Sequence, residues 1–189
     1  MRIFILFFVL CYSMNILSQE KFEKEYRVDR EQIPQISLNF VDNLKFKKKM
    51  KWYIEESNEG KTYEAKTCYL KYLYSLEFSE KGEILDVEKK VKFKELPNDV
   101  QNNISDKLSE KFKKFKFKKI QIQYKGTEQY LIDFIKNKSD NNDLKTSYEI
   151  IVKAKEIDTY KLYEILLNEQ GDILKMLEFR AINSINLEF

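Results

Sequence analysis

Leu73-Tyr74-Ser75-Leu76-Glu77-Phe78-Ser79-Glu80-Lys81-Gly82-Glu83-Ile84-Leu85 is spelled a second time as Leu162-Tyr163-Glu164-Ile165-Leu166-Leu167-Asn168-Glu169-Gln170-Gly171-Asp172-Ile173-Leu174. Leu, Tyr, Glu, Gly, Ile and Leu recur at the same spacing. Each copy is an alternating apolar run, a polar turn with glycine, and a second apolar run, which is the pattern of a strand–turn–strand hairpin. Gly82 and Gly171 are two of only four glycines, and each supplies the positive φ that such a turn needs. The inward-facing residues Leu76 and Phe78 of the first copy match Ile165 and Leu167 of the second. This agreement in side-chain phase points to a duplicated unit.

The composition limits the function. Hydrophobic residues make up 43% of the 189 residues and charged residues 34%, which gives a folded chain with a real core. The 34 basic and 31 acidic residues are too evenly balanced to imply nucleic acid. There is no histidine, so Ser–His–Asp and Cys–His nucleophile systems and histidine-based zinc sites are excluded. No other catalytic or metal-binding combination stands out. Asp140-Asn141-Asn142-Asp143 lacks the glycine and distal glutamate of a calcium loop. The reading is therefore a non-enzymatic chain with no cofactor.

Met1-Arg2 precedes the apolar run Ile3 to Leu10, and a small or polar exit follows through Ser18-Gln19. This is the anatomy of a secretory signal peptide cleaved near Ser18 or Gln19. Cys11 lies within it, so Cys68 is left without an intramolecular disulfide partner. The expected location is periplasmic or secreted.

Beyond the leader, residues 20 to 29 read as a loose charged lead-in. Asp29 to Pro34 looks like a helix start, and Ile33, Ile36, Phe40, Val41 and Leu44 share a helical face. The run Lys45 to Lys49 suits a helix C-terminus. Strands then follow at Met50 to Glu55, Tyr63 to Thr67, Cys68 to Phe78, and Ile84 to Phe93. The even positions from Cys68 to Phe78 are expected to face the helix, the odd ones to face outward or toward the other unit. The pattern restarts at Leu96-Pro97, with a stripe of Val100, Ile104, Leu108 and Phe112, a second Lys/Phe run (Lys111 to Lys119), and strands up to Phe179. Thr127 to Lys136 reads as an insertion, either a short amphipathic helix or an irregular edge. The predicted fold is α+β: a signal peptide (1–19) and two tandem repeats (20–94 and 95–189), each a helix packed on an antiparallel sheet.

Ile33-Pro34 and Leu96-Pro97, Tyr63-Glu64 and Tyr148-Glu149, and the two glycine-centred hairpins stand in the same order in each unit. In that order the chain resembles PepSY-like domains, also described as β-lactamase-inhibitor-like proteins. The resemblance implies a secreted or periplasmic, non-enzymatic protein, with inhibition of a peptidase- or β-lactamase-type protein as its suggested role.

The partner-binding candidates lie on the sheet face opposite the helix. They are Tyr53, Tyr69, Lys71 and Leu73 in the first unit, and Leu162 and Glu164 in the second. Aromatic side chains on a rigid sheet make good contact anchors. The expected partner is an envelope or extracellular protein. The alternative is an envelope-surface or small-ligand binder using this face and the Lys-rich patches, with weak contact to anionic surfaces.

Overall fold

Alternation of polar and apolar residues along every strand gives the sheet two unlike faces, and each face finds its own partner. In the computed structural model, which describes residues 20–46, 48–138 and 144–181, the nine strands are β1 (Glu20–Val28), β2 (Lys51–Ser57), β3 (Gly60–Tyr69), β4 (Tyr72–Phe78), β5 (Ile84–Lys90), β6 (Lys114–Lys125), β7 (Lys145–Lys155), β8 (Tyr160–Leu167) and β9 (Ile173–Ala181). They pair in chain order, each antiparallel to the next, and β1 closes the sheet by pairing with β9. Nine strands running alternately up and down leave the first and ninth pointing the same way. The closing pair is accordingly parallel, with Glu20 beside Glu178 and Glu23 beside Ala181.

Among the described residues three α-helices lie outside this curl: α1 (Gln35–Leu44), α2 (Asn98–Lys111) and α3 (Glu128–Ile135). Helix α1 presents Leu38, Phe40, Val41 and Leu44 to Trp52, Ile54, Leu76 and Phe78. Leu131 and Ile135 of α3 extend the same cluster. Helix α2 presents Val100, Ile104 and Leu108 to Ile150, Val152, Ile165 and Leu167. Full burial of such side chains contributes about 1.5–3 kcal/mol each. Among the described residues no helix is long and apolar enough to cross a membrane.

This corrects the expected architecture of two tandem helix-on-sheet repeats. The chain forms one continuous, mostly β sheet, and β5 pairs directly with β6 across the expected boundary at residues 94 and 95. The repeated hairpins are real as β4–β5 and β8–β9, but they are local features of a single sheet. The residues read as a loose lead-in form β1, which is needed to close the curl. The run from Cys68 to Phe78 is two strands. Leu70 and Lys71 form a tight turn between them, with φ of 47° and 73°. The break moves Cys68 to the opposite face from Tyr74 and Leu76, because it pairs with Leu73 and not with the helix-facing set. Ile36 is exposed and Leu38 takes its place in the core. Thr127 caps α3 by accepting a hydrogen bond from the Tyr130 amide, so the insertion is the short helix of the two options read. The expected leader (1–19), residue 47 of the first Lys-rich run, and residues 139–143 and 182–189 lie outside the described residues.

Candidate functional site

With the apolar face covered by helices, the second face of every strand turns into the curl and encloses a polar chamber of about 570 Å³. Each strand contributes by simple period-2 alternation: β1 supplies Lys21, Glu23 and Glu25, β2 Glu55, β3 Thr62, Glu64 and Lys66, β4 Glu77, β5 Asp86 and Glu88, β6 Lys119 and Gln123, β7 Glu149, and β8 Glu164. Glu59, Lys125 and Lys175 are more exposed members of the wall. Among the described lining residues, ten are carboxylates and five are lysines. The acid excess sits where the dielectric is low, so it must be met by cations, hydrogen bonds or protons.

Two lysines meet part of it. Lys66 Nζ lies 3.0 and 2.9 Å from the Glu25 carboxylate and 3.0 Å from Glu64 Oε2. Lys21 Nζ lies 2.8 Å from both Glu23 and Glu164. Burial opposes the charge of each lysine, yet the surrounding carboxylates hold both pKa values above the ordinary lysine value. Lys119 is held up in the same way, against burial, by Glu149, Glu88 and Glu64.

The remaining carboxyls are less well served. Burial, reinforced by Glu64, pushes Glu25 up to about 7 despite Lys66. Burial and Glu149 push Glu164 up to about 7 despite Lys21. Glu77 is pushed up to about 8 by burial, then by Asp86 and Glu64. Asp86, Glu88 and Glu55 are all raised well above the carboxylate range, in each case chiefly by burial. Neutral amides fix part of the wall. Ser147 donates to Gln123, Gln123 Nε2 donates to Asp86 Oδ2 at 3.0 Å, and Gln121 Nε2 donates to Glu88. Ser75 donates to Glu64. Asp86 Oδ1 and Gln121 Oε1 are buried without a hydrogen-bond partner. Among the described residues no group of histidine, cysteine or acidic side chains is arranged to hold a metal ion.

The sequence-derived candidates do not form one surface. Glu164 lines the chamber. Tyr53 is buried on the chamber side of β2, with Lys66 Nζ 5.0 Å from its ring centroid. Leu73 and Leu162 are half-buried on the faces that carry Ser75 and Glu164. Tyr69 packs on the other side, against Phe46 and Tyr74 at 5.3 and 6.3 Å. Lys71 is exposed in the β3–β4 turn. The face opposite the helix is therefore largely the inside of the curl. Sequence reasoning missed Lys21, Glu25, Glu77, Asp86 and Glu88. The available signal was that the second face of successive strands is acidic, which is unusual for a surface meant only to meet water.

The first Lys-rich run takes a different position. Lys45, Lys48, Lys49 and Lys51 join Arg27 and Arg30 around an open groove of about 630 Å³ between the end of β1, α1 and β2. Asp29, Glu31 and Asp42 line the same groove, and Arg30 bonds Asp42 at 2.7 Å. Its charges are solvated and partly matched, unlike those of the chamber.

No protein-family model matches the chain, and no curated protein matches it. Two crystal structures resemble it in fold. One is of a DUF2874 family protein from Bacteroides ovatus ATCC 8483, with 13% identity, 77% of this chain and 87% of that chain covered, and a TM-score of 0.52. The other is of a "putative periplasmic" protein from Bacteroides eggerthii DSM 20697, with 13% identity, 81% and 94% covered, and a TM-score of 0.55. At this identity the likeness is one of fold, and these neighbours share the curled antiparallel sheet. The PepSY-like resemblance is not confirmed by these comparisons.

Proposed function

We propose that the protein is a secreted or periplasmic, non-enzymatic binding module that takes a small polar solute inside its curled sheet. The observation that carries this reading is the chamber. A volume of about 570 Å³ falls in the range of small-molecule sites, and burying so many ionisable groups lowers stability unless the space is used. The location rests on the leader-like residues 1–19 and on the periplasmic character ascribed to one fold neighbour. The non-enzymatic reading is supported by the absence of histidine, which excludes Ser–His–Asp and Cys–His nucleophile systems.

The test is a thermal-shift panel of small charged and neutral solutes against the wild type and Thr62→Trp, which places an indole in the chamber wall. Solutes that raise the wild-type midpoint and leave the folded variant unmoved support the reading. Equal shifts in both proteins count against it.

The protein-inhibitor role implied by the resemblance is the alternative. Its surface would be the β3–β4 turn, where Leu70 is 57% exposed and Lys71 stands beside it. Capture of an envelope protein by the wild type, abolished by Leu70→Asp, would favour it.

A further inference from the structure

The chamber wall is lopsided, and the lopsidedness specifies a ligand. Lys66 and Lys21 serve Glu25, Glu64, Glu23 and Glu164. Elsewhere Glu64, Glu77 and Asp86 stand directly opposite one another on β3, β4 and β5. Like charges in direct opposition destabilise a sheet. Asp86 is 1% exposed; its Oδ2 is held by Gln123, while its Oδ1 is buried and accepts nothing. The charged and titratable groups that act on this pair are Glu64 from β3, Glu88 from β5, Lys125 from β6 and Glu149 from β7. Lys125 is the one cation among them, 3.6 Å from Asp86 Oδ2, with a half-exposed side chain. Thr62 adds a hydrogen bond to Glu77.

Resting on the chamber as a ligand site, we infer that Glu77 and Asp86 form a subsite for the ammonium or guanidinium group of a small organic cation. The cation's N–H groups donate to Asp86 Oδ1 and to the Glu77 carboxylate. No covalent bond forms between protein and ligand, and the only bond broken is the carboxyl O–H, whose proton passes to water or buffer. The empty pair relieves its repulsion by holding a proton, and the incoming cation displaces that proton to solvent. Charge-assisted bonds of this kind are roughly twice as strong as neutral ones. The opposed carboxylates, costly in the empty protein, then become the specificity element.

The experiment is calorimetric titration of the purified protein near pH 7 with 1,4-diaminobutane, 1,4-butanediol and succinate, in two buffers of different ionisation enthalpy. The diamine is expected to bind with proton release, and the diol and the diacid at least about tenfold more weakly. Asp86→Asn and Glu77→Gln are each expected to weaken the diamine by about tenfold or more. Asp42→Asn, on the outside of α1, leaves it unchanged. The isosteric variants relieve the like-charge opposition, so their unfolding midpoints should stay level or rise, which separates lost binding from lost folding. Preferential binding of succinate or the diol would overturn the cation inference and leave the chamber reading standing. Diamine binding indifferent to both substitutions would overturn it as well. If none of the three binds, the inference falls; Thr62→Trp-sensitive binding of another solute in the thermal-shift panel would then keep the chamber reading alive, and its absence would end both.

Discussion

Lys66 on β3 reaches past β2 to Glu25 on β1, with its ammonium 3.0 and 2.9 Å from the two carboxylate oxygens. Tyr53 of the intervening strand lies under the same ammonium. The contact ties three strands together on the chamber side, where there is little apolar packing to do so. Lys66 is 3% exposed and Glu25 1%. Removing one member of such a pair strands the other in low dielectric and costs about 3–5 kcal/mol. Lys66→Met is expected to lose that much in urea unfolding. The double variant Lys66→Met/Glu25→Leu should recover only part of it, because the Glu25 charge goes too while Glu64 still loses its Lys66 partner.

The raised carboxyls make stability depend on pH in an unusual direction. A carboxyl whose folded pKa lies above its unfolded value holds its proton more tightly in the folded state. Its contribution is complete below the unfolded value and is lost as pH rises through the folded one. Glu25 and Glu164, at about 7, and Glu77, at about 8, place that loss between about pH 4.5 and 8. The raised lysines act only where lysine itself titrates, above that window. The urea midpoint should therefore fall steadily from about pH 5 to 8. In Glu77→Gln the slope should be shallower, most visibly at the upper end. A midpoint that rises over this range would contradict the assignment.

The paired hairpin glycines are not equivalent. A Cβ on Gly82 would sit 2.7 Å from Pro34 Cβ and 3.0 Å from Ser37 Oγ, and the Ser37 hydroxyl already donates to the Gly82 carbonyl. A Cβ on Gly171 would meet the Val100 carbonyl oxygen at 3.3 Å and Ile104 at 3.4 Å. Both have positive φ, 90° and 82°, which costs a side chain about 1–2 kcal/mol. Gly171→Ala should lose about that amount and Gly82→Ala clearly more. Denaturant unfolding of the two variants side by side checks the order.

These glycines also mark how far the sequence could be read. Their turns, the apolar stripes of α2 and most of α1, and the helix-facing phase of Tyr74, Leu76 and Phe78 follow from local periodicity. What periodicity does not carry is closure. The pairing of Lys21 with Phe179 or of Val87 with Tyr124 is a long-range choice, and two separate sheets would satisfy the same local pattern. Of the residues placed opposite the helices, Glu164 lies on that face and Tyr69 does not. The character of the face was hidden, because Ser75 and Glu77 read as water-facing until the curl turns them inward. Leu70-Lys71 hid the break between β3 and β4, since neither residue announces a turn.

That turn gives a prediction of the opposite sign. Leu70 and Lys71 both sit in the left-handed region, at φ 47° and 73°, as a two-residue type I′ hairpin requires, and Asn-Gly is the pair best suited to it. A leucine there carries a steric cost that tertiary pairing of Tyr69 with Tyr72 must offset. Leu70 is also among the exposed large apolar side chains, so replacing it removes no core contact. Leu70→Asn/Lys71→Gly is expected to stabilise the protein by about 0.5–2 kcal/mol, chiefly by relieving backbone strain. Replacing Lys71 with glycine also loosens the unfolded chain, which subtracts part of the gain. Equilibrium urea unfolding measures the net. A loss of stability would mean that the Leu70 side chain has a contact role in the folded protein that its exposure does not suggest.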